Sequence, residues 1–292
     1  MSLISGLETF VRSAVPLAPF TWFKVGGAAQ YFAEPSTAEE LTALVKRCHQ
    51  AQVPIHVLGS GSNVLVRDAG VTGVVLHLSS PAWSQVTSQG RAIVAAAGAR
   101  LGQTISVSVG QGLAGLESLV GIPGTIGAAL RCNAGGRAGD IGQWTSRVTA
   151  MSRSGEIVER GRDDLVFTYR QSNLDELVIL SAEFQLEQDD PLELAKRMQK
   201  QWIVKKAAQP LSHERTGCIF RNPRGMSAGM LIEQAGLKGT RQGGAEVSQR
   251  HGNFIVADPD AKSSDIIRLI ELVRERIFSR MGIELETLLE IW

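Results

Sequence analysis

Hydrophobic residues recur with helical spacing in some segments of the chain and form short apolar runs in others, which predicts a mixture of helices and strands. Thr37 and Glu40 form a capping box before a helix, whose apolar stripe consists of Leu41, Leu44, Val45 and Cys48. A buried strand is predicted over residues 53 to 58. With the β-prone segment that ends at Pro35, these elements predict a β-α-β unit.

The same two patterns predict further elements. Additional strands are expected at 64 to 67, 73 to 78, 91 to 99, 177 to 186 and 283 to 290, with a hairpin that turns at Ser154-Gly155. Start signals and apolar spacing predict helices that begin near Leu101, Pro191, Ala228 and Ser263. The helix after Pro191 is expected to bury the face formed by Ala195, Met198 and Trp202. The last helix is expected to end at Gly282 and to bury Ile266, Ile270, Val273, Ile277 and Met281.

The N-terminal segment predicts an amphipathic helix. Its apolar residues are Leu3, Leu7, Phe10 and Val11. Because Glu8 and Arg12 interrupt this stretch and no basic region precedes it, a signal peptide is not expected.

Composition and charge narrow the function classes. The 292 residues are 43% hydrophobic and 20% charged, which favours a globular protein of two domains or of one large domain with an appended lobe. A formal net charge of +1 gives no positive field for nucleic acid, and no apolar run is long enough to span a bilayer, so small-molecule partners are expected. The three cysteines are scattered and form no CxxC pair, which favours a cytoplasmic protein without a structural metal.

Two glycine-rich loops are the strongest candidates for a binding site. Gly121, Gly124 and Gly127 recur every third residue within the glycine-rich segment 112 to 136, and such a loop can present backbone N–H groups to a phosphate. A GSGSN loop at residues 59 to 63 follows a predicted strand and suits a pyrophosphate. A phosphate-bearing cofactor is therefore expected, with a tight structural turn and a polar hairpin loop as the alternative interpretations.

Eight motifs together carry a resemblance to a known family: WFKVGGAAQYFAEP, VLGSGSNVLVRD, GLAGLESLVGIPGTIGAALRCNAGG, FTYRQS, GCIFRNP, AGMLIEQAGLKG, GGAEVSQRHGNFIV and GIELE. In this order they resemble the flavin-dependent UDP-N-acetylenolpyruvoylglucosamine reductases, also called UDP-N-acetylmuramate dehydrogenases. The resemblance extends over nearly the whole chain.

The resemblance implies an α+β fold with a PCMH-type, VAO-like FAD-binding domain of two subdomains over residues 1–188 and a C-terminal α+β substrate-binding lobe over residues 189–292. It implies FAD as the cofactor, NADPH as the hydride donor, and reduction of a UDP-sugar enolpyruvyl ether to UDP-N-acetylmuramate in peptidoglycan synthesis. The implied FAD contacts are the residues of both loops, Gly59, Ser60, Gly61, Ser62, Asn63, Gly121, Ile122, Pro123, Gly124, Thr125, Ile126 and Gly127.

The resemblance also implies roles for individual side chains. Arg170 in FTYRQS matches an arginine that binds the substrate carboxylate, with a surface arginine as the alternative. Cys218 stands where the family has a proton-donating serine, and a thiol, with an ordinary pKa of about 8.5, can donate a proton as well. Its alternative interpretation is a small buried hydrophobic residue. The implied substrate contacts are Lys206, Asn222, Lys238 and His251.

The chain departs from the family pattern near its end. Leu288 occupies the position of a catalytic glutamate. On a strand, Glu286 and Glu290 would point to the same side, each displaced by about 7 Å, and Glu290 is the preferred substitute because Glu286 matches another family residue. Only six residues separate Asn222 from Gly229, so the long substrate-covering loop of some members is absent.

Three functions therefore remain open at this point. The first is the reductase itself. The second is a protein that binds FAD and a UDP-sugar but has impaired or lost turnover, which Leu288 suggests. The third is an FAD oxidoreductase of another substrate on the same fold.

Overall fold

A computed structural model describes residues 4–136, 138–210 and 215–292. Within these residues the helices are α1 (Ala38–Gln50), α2 (Leu101–Gly110), α3 (Ile126–Arg131), α4 (Pro191–Ala208), α5 (Ala228–Gln234) and α6 (Ser263–Met281). The first strands are β1 (Val11–Pro16), β2 (Ala28–Ala33), β3 (Ile55–Leu58), β4 (Val64–Leu65), β5 (Val71–His77), β6 (Val86–Gln89), β7 (Ala92–Ala96), β8 (Leu113–Ala114), β9 (Gly135–Gly136) and β10 (Gly139–Asp140). The later strands are β11 (Thr145–Met151), β12 (Ile157–Gly161), β13 (Phe167–Thr168), β14 (Gln171–Ser172), β15 (Val178–Gln185), β16 (Glu187–Gln188), β17 (Thr216–Cys218), β18 (Arg241–Gln242), β19 (Ala245–Val247), β20 (Phe254–Ala257) and β21 (Glu290–Ile291).

Backbone contacts divide the described residues into two compact units. The first contains residues up to Ser13, Tyr31–Gly59 and Thr72–Ile203, and the second contains Ala14–Gln30, Ser60–Val71 and Val204–Trp292. Each unit mixes helices with sheets, so the predicted α+β class is confirmed. The division into an FAD-binding domain at 1–188 and a substrate-binding domain at 189–292 stays a prediction.

The first unit has its apolar core beside a five-stranded sheet of order β12-β11-β15-β7-β6. The hairpin predicted at Ser154-Gly155 joins β11 to β12, and Gly155 takes φ of +84° there. The cap of α1 also forms as predicted, since the Thr37 side chain accepts a hydrogen bond from the Glu40 N–H at 3.2 Å. All four residues of the predicted stripe of α1 are buried.

The N-terminal helix prediction is wrong. Residues 11 to 16 form β1, and Leu3 lies outside the described residues. The chain reaches β1 through turns, the Glu34 N–H donates to the Phe10 carbonyl at 2.9 Å, and Arg12 pairs with Glu34 at 2.5 Å. Backbone pairing along a sheet edge therefore outweighs the local helical pattern.

Three elements differ from the sequence-based prediction in their burial or length. The strand predicted at 53 to 58 is reduced to β3, an edge strand whose Val57 is 37% exposed. In α4 only Leu194 is fully buried, while Trp202 is 37% exposed, so the predicted apolar face is wrong at that residue. The helix predicted over residues 228 to 239 is shorter, since α5 ends at Gln234 and Gly236 with φ of +67° follows it.

The second unit holds a four-stranded sheet of order β17-β20-β19-β18. The helix α6 packs on this sheet with Ile266, Ile270, Val273 and Ile277 buried, and Met281 is partly buried at its end. Gly282 ends the helix in the left-handed region, as predicted.

The last predicted strand is mostly absent. Of residues 283 to 290, only Glu290 lies in a strand, since β21 pairs in parallel with β4 over two residues. An isolated bridge joins Thr287 to Phe220. Therefore Glu286, Leu288 and Glu290 do not share one face of a regular strand, and the predicted 7 Å displacement does not apply.

The start of α6 is held by a carboxylate that is distant in sequence. The Asp68 carboxylate accepts the Ser263 and Ser264 N–H groups at 2.9 and 3.4 Å, and the Ser263 hydroxyl accepts the Asp68 N–H at 2.8 Å. Burial acts to raise the pKa of Asp68, but these hydrogen bonds lower it overall. Asp68 thus stabilises the helix in its ionised form.

We expect Asp68→Ala to lower the free energy of unfolding by about 1 kcal/mol at neutral pH, as other lost helix caps do. Because the pKa of Asp68 is depressed in the folded protein, this stabilisation is present above the unfolded pKa and is lost as the pH falls through the folded pKa. Urea unfolding of both proteins at pH 7 and near pH 3 measures the difference. The exposed Asp260→Ala serves as the matched control, and an equal loss in that variant would contradict the assignment.

No helix in the described part of the chain is both long enough and apolar enough to cross a membrane.

Candidate active site

The GIPGTIG loop is held in the first unit by backbone hydrogen bonds on both sides of its central threonine. The Leu101 N–H donates to the Gly124 carbonyl at 3.0 Å, and the Ile126 N–H donates to the Ala99 carbonyl at 2.9 Å. Gly121 and Gly124 have φ of +80° and +131°, conformations that side chains with a Cβ rarely adopt. The backbone of the loop therefore requires glycine at positions 121 and 124, whereas Gly127 lies in α3.

The first residue of the GSGSN loop, Gly59, lies beside Thr125 of the GIPGTIG loop within the first unit. An ideal Cβ on Gly59 would lie 2.8 Å from the Thr125 hydroxyl oxygen, so only glycine allows this approach. Further along, Gly61 has φ of +67°, and a Cβ there would lie 2.0 Å from the Phe20 carbonyl oxygen.

The GSGSN loop also carries unused hydrogen-bonding groups. Within the described residues, the buried Ser60 hydroxyl has no hydrogen-bond partner, and the backbone N–H groups from Ser60 to Asn63 donate to no acceptor. Such groups fit the diphosphate of FAD, which offers several acceptor oxygens. Both loops therefore fit the predicted cofactor.

Arg170 lies at the tip of a tight hairpin in the first unit. Residues 169 and 170 connect β13 to β14, and the guanidinium of Arg170 lies 5.8 Å from the centre of the Tyr169 ring. The backbone of Arg170 has φ of +59°, which is unfavourable for a residue with a side chain. Strain of this kind is often retained where a side chain is needed in a fixed direction.

The hairpin is fastened to the end of α3 by two residues that were not predicted. The buried Asn133 donates from its amide to the Thr168 carbonyl at 2.8 Å, and its amide oxygen accepts the Gly142 N–H at 3.1 Å. The Ser172 hydroxyl donates to the Arg131 carbonyl at 3.0 Å. The segment that contains the GIPGTIG loop thus also positions Arg170.

Cys218 ends β17 in the second unit, opposite Phe254 of β20. The side-chain amide of the buried Asn253 donates to the Cys218 Sγ at 3.4 Å. Cys218 itself is partly exposed, so the alternative interpretation as a fully buried residue is not supported.

Lys238 and His251 are brought together by Glu233. The Glu233 carboxylate pairs with Lys238 at 3.2 Å and accepts the Gly252 N–H at 3.3 Å. Burial acts to raise the pKa of Glu233, but the Gly252 N–H and Lys238 lower it overall. Burial lowers the pKa of His251 although Glu233 acts in the opposite direction. The ring Nδ1 of His251 accepts the Asn253 N–H at 3.1 Å, which leaves Nε2 of the neutral ring as a donor.

The other predicted substrate residues differ in their placement. Asn222 is exposed, and its side-chain oxygen accepts the Ala228 N–H at the start of α5 at 3.0 Å. Lys206 is exposed in the last turn of α4 and makes no ion pair within the described residues. The structure therefore does not join Lys206 to the other predicted residues.

The C-terminal segment places Leu288 between two predicted motifs of the second unit. Its N–H donates to the Ile219 carbonyl at 2.7 Å, and its carbonyl accepts the Asn63 side-chain amide at 3.1 Å. Glu290 and Glu286 are both exposed. The Glu290 N–H donates to the Asn63 carbonyl at 3.0 Å, and the backbone carbonyl of Glu286 accepts the Arg221 N–H at 2.9 Å. Of the two candidate substitutes, Glu290 is bound to the GSGSN loop.

In the ranges that the structure describes, no three His, Cys, Asp or Glu residues are arranged to hold a metal ion. The residues that sequence reasoning missed are Asn133, Arg131, Glu233 and Asn253. Arg131 and Asn133 lie in the glycine-rich segment, Glu233 in AGMLIEQAGLKG and Asn253 in GGAEVSQRHGNFIV. Membership in these motifs was their only signal, because their roles depend on contacts between distant segments.

Comparisons with known proteins place these features in a family. Residues 29–161 match a model described as an FAD binding domain, and residues 209–292 match the UDP-N-acetylenolpyruvoylglucosamine reductase, C-terminal domain. The UDP-N-acetylenolpyruvoylglucosamine reductase of Bradyrhizobium sp. (strain ORS 278) is 41% identical over 271 residues, which cover 92% of this chain and 88% of that protein. The protein of the same name from Rhodopirellula baltica is 39% identical and covers 97% of this chain and 92% of its own length.

Solved structures agree with these relatives. The crystal structure of UDP-N-acetylenolpyruvylglucosamine reductase from Thermus caldophilus matches with a TM-score of 0.83 at 33% identity and covers 97% of this chain and all of its own. Phl p 4.0202, a glucose dehydrogenase, matches over 75% of this chain and 51% of its own with a TM-score of 0.52 at 14% identity, which shows a shared fold alone. The predicted PCMH-type, VAO-like fold is confirmed. The chain belongs to the UDP-N-acetylenolpyruvoylglucosamine reductase family of FAD-dependent oxidoreductases.

Proposed function

We propose that the chain reduces UDP-N-acetylglucosamine enolpyruvate to UDP-N-acetylmuramate, with NADPH as the hydride donor, in the cytoplasm. The observation that carries the proposal is the 41% identity to a reductase of that name over 92% of the chain. The GSGSN and GIPGTIG loops would hold FAD, which supplies the hydride for the vinyl carbon of the substrate. The formal net charge of +1 supports small-molecule partners, and the scattered cysteines support a reducing compartment.

Arg170 is assigned to the substrate carboxylate. Hydride addition at the vinyl carbon leaves negative charge on the neighbouring carbon and its carboxylate, which a guanidinium stabilises through two parallel hydrogen bonds. The hairpin with its strained tip, fastened through Asn133, supports a fixed direction for this side chain.

Cys218 is assigned to the protonation of the neighbouring carbon. Its S–H bond breaks as the new C–H bond forms, and the electron pair stays on sulfur as a thiolate until solvent returns a proton. The partial exposure of Cys218 supports both steps.

Asn222, Lys238 and His251 are assigned to substrate binding, and Lys206 is a further candidate. The ammonium group of Lys238 suits a diphosphate oxygen, while the neutral ring of His251 offers an N–H donor to a sugar or uridine oxygen. Glu233 pairs with Lys238 and acts electrostatically on His251, which supports a common role for Lys238 and His251.

The direct test of the proposed function is product formation. Purified protein with FAD is incubated with NADPH and UDP-N-acetylglucosamine enolpyruvate, and the sugar nucleotides are identified by mass spectrometry. UDP-N-acetylmuramate that forms in proportion to the NADPH consumed supports the proposal. A protein that cannot be reconstituted with FAD contradicts both this proposal and its alternatives.

A second candidate function is FAD and UDP-sugar binding with impaired turnover, which Leu288 favours. The backbone of Leu288 makes both hydrogen bonds that fix it, so Leu288→Glu can restore the family carboxylate without losing them. A large gain in turnover on this substitution would support impaired catalysis in the native chain.

We expect Glu290→Gln to slow substrate reduction about 10²-fold and Glu286→Gln to slow it less. The physical reason is that the Glu290 backbone is bound to Asn63 of the GSGSN loop, whereas the Glu286 backbone is bound to Arg221. Single-turnover oxidation of the NADPH-reduced enzyme by the enolpyruvyl substrate measures both variants. Equal and negligible effects would show that neither carboxylate replaces the family glutamate.

A further inference from the structure

Asn253 directly precedes β20, and its side chain makes hydrogen bonds to two residues of the GCIFRNP motif, Cys218 and Phe220. Its amide oxygen accepts the Phe220 N–H at 2.9 Å, and its amide nitrogen donates to the Phe220 carbonyl at 2.8 Å. The same nitrogen donates to the Cys218 Sγ at 3.4 Å. Asn253 is 5% exposed, so the amide is shielded from competing water.

This pattern fixes the direction of one N–H bond. The two hydrogen bonds to Phe220 leave the amide plane no freedom to rotate, because its oxygen and one of its two N–H groups are both engaged. The remaining N–H therefore points at the sulfur atom. The backbone of Asn253 adds two more links, since its N–H donates to His251 Nδ1 and its carbonyl accepts the Ile219 N–H, both at 3.1 Å.

An N–H donor aimed at sulfur changes the stability of the thiolate relative to the thiol. Hydrogen bonding to the charged form of a group favours that form, and a thiol becomes charged when it gives up its proton. The donor therefore stabilises the product of proton donation more than the starting thiol.

We propose that Asn253 is a positioning residue for Cys218, which orients the thiol and stabilises the thiolate left after proton transfer. This inference rests on the proposed function, in which Cys218 donates the proton to the substrate carbon. The step balances within that scheme: the S–H bond breaks, the C–H bond forms, and the amide keeps its own proton.

The test compares two substitutions at Asn253 by a readout that needs no turnover. Asn253→Thr removes the amide donor to sulfur, while Asn253→Asp removes the same donor, keeps an oxygen for the Phe220 N–H and adds a carboxylate. The rate of Cys218 alkylation by iodoacetamide is measured from pH 6 to pH 10 by peptide mapping of the FAD-loaded protein. The matched control is Ser248→Ala, because Ser248 directly follows β19 and is as buried as Asn253, but its hydroxyl accepts the Arg250 N–H.

We expect the pH midpoint of alkylation to rise by about one unit in Asn253→Thr, the size of effect that a hydrogen bond to a charged group has. Asn253→Asp should raise it further, since a carboxylate repels a thiolate, and Ser248→Ala should leave it unchanged. An unchanged midpoint in folded Asn253→Thr, or an equal shift in Ser248→Ala, overturns the proposal.

Turnover assays distinguish failure of the proposed function from failure of the role assigned to Asn253. In both Asn253 variants, NADPH should reduce the flavin at the native rate and substrate reduction should slow. If the native protein makes no UDP-N-acetylmuramate, the proposed function fails while the alkylation result still reports on Asn253. If turnover is normal but the midpoint does not move, only the role of Asn253 fails.

Discussion

Cys218→Ala is expected to accept hydride from NADPH at the native rate and then to reduce the enolpyruvyl substrate at least 100-fold more slowly. The reason is that general acid catalysis contributes about 10²- to 10⁴-fold, and alanine has no proton to give. Cys218→Ser should retain a substantial fraction of activity, because a hydroxyl can donate a proton from the same position.

The pH profile distinguishes the thiol from the hydroxyl. In the native protein, substrate reduction should decline at alkaline pH as the thiolate forms, since a thiolate cannot donate a proton and thiols ordinarily have a pKa of about 8.5. Serine does not titrate in this range, so Cys218→Ser should lose the alkaline decline. An active Cys218→Ala with an unchanged profile would show that the proton comes from another group.

Protection against alkylation gives an independent check on the same residue. Iodoacetamide should label Cys218 in the free enzyme, and the bound UDP-sugar substrate should slow this labelling. The buried Cys48, whose pKa is raised to about 11 by burial, should remain unlabelled under the same conditions. Labelling of Cys218 that the substrate does not slow would contradict its place in the substrate site.

Arg170→Gly is expected to slow substrate reduction by about 10²- to 10³-fold, as the loss of a group that stabilises a developing negative charge does. At the same time it should leave the melting temperature equal or higher, because glycine relieves the φ of +59° at the hairpin tip. Loss of activity in a protein that is no less stable would separate a functional role from a structural one. Arg170→Lys should recover only part of the rate, because an ammonium group lacks the planar fork.

The control for Arg170 lies in another hairpin of the same unit. Arg153 is an exposed arginine in the turn between β11 and β12, and Arg153→Gln should leave both rate and melting temperature unchanged. If Arg170→Gly were as active as Arg153→Gln, the alternative interpretation of Arg170 as a surface arginine would hold.

Local signals in the sequence were sufficient for the parts of the fold that depend on neighbouring residues. The cap at Thr37 with its apolar stripe, the turn at Gly155 and the end of α6 at Gly282 all formed as predicted, because each is determined within a few residues. The N-terminal segment was mispredicted because its strand depends on pairing with distant residues such as Glu34. The C-terminal segment failed for the same reason, since Leu288 and Glu290 are fixed by Ile219 and Asn63.

The residues of the candidate site were likewise predictable only where the signal lies within a short segment. The GSGSN and GIPGTIG loops could be predicted from the sequence because their high glycine content is itself a signal. Asn133 and Asn253 could not, since each connects segments that are separated in the chain and neither belongs to a recognisable catalytic pattern. Glu233 was not predicted because it lies within a segment with an apolar helical pattern. Its ion pair with Lys238 forms only in the folded chain.

We expect this chain to complete the reduction although Leu288 stands where the resemblance implies a catalytic glutamate, and anaerobic stopped-flow of the two half-reactions tests this expectation most directly. NADPH should bleach the flavin absorbance of the FAD-loaded protein, and the enolpyruvyl substrate should then restore it in one turnover with equimolar UDP-N-acetylmuramate. A slow but complete second phase would agree with the loss of one carboxylate. Reduced enzyme that binds the UDP-sugar but never recovers its flavin absorbance would show that the chain does not complete the reduction.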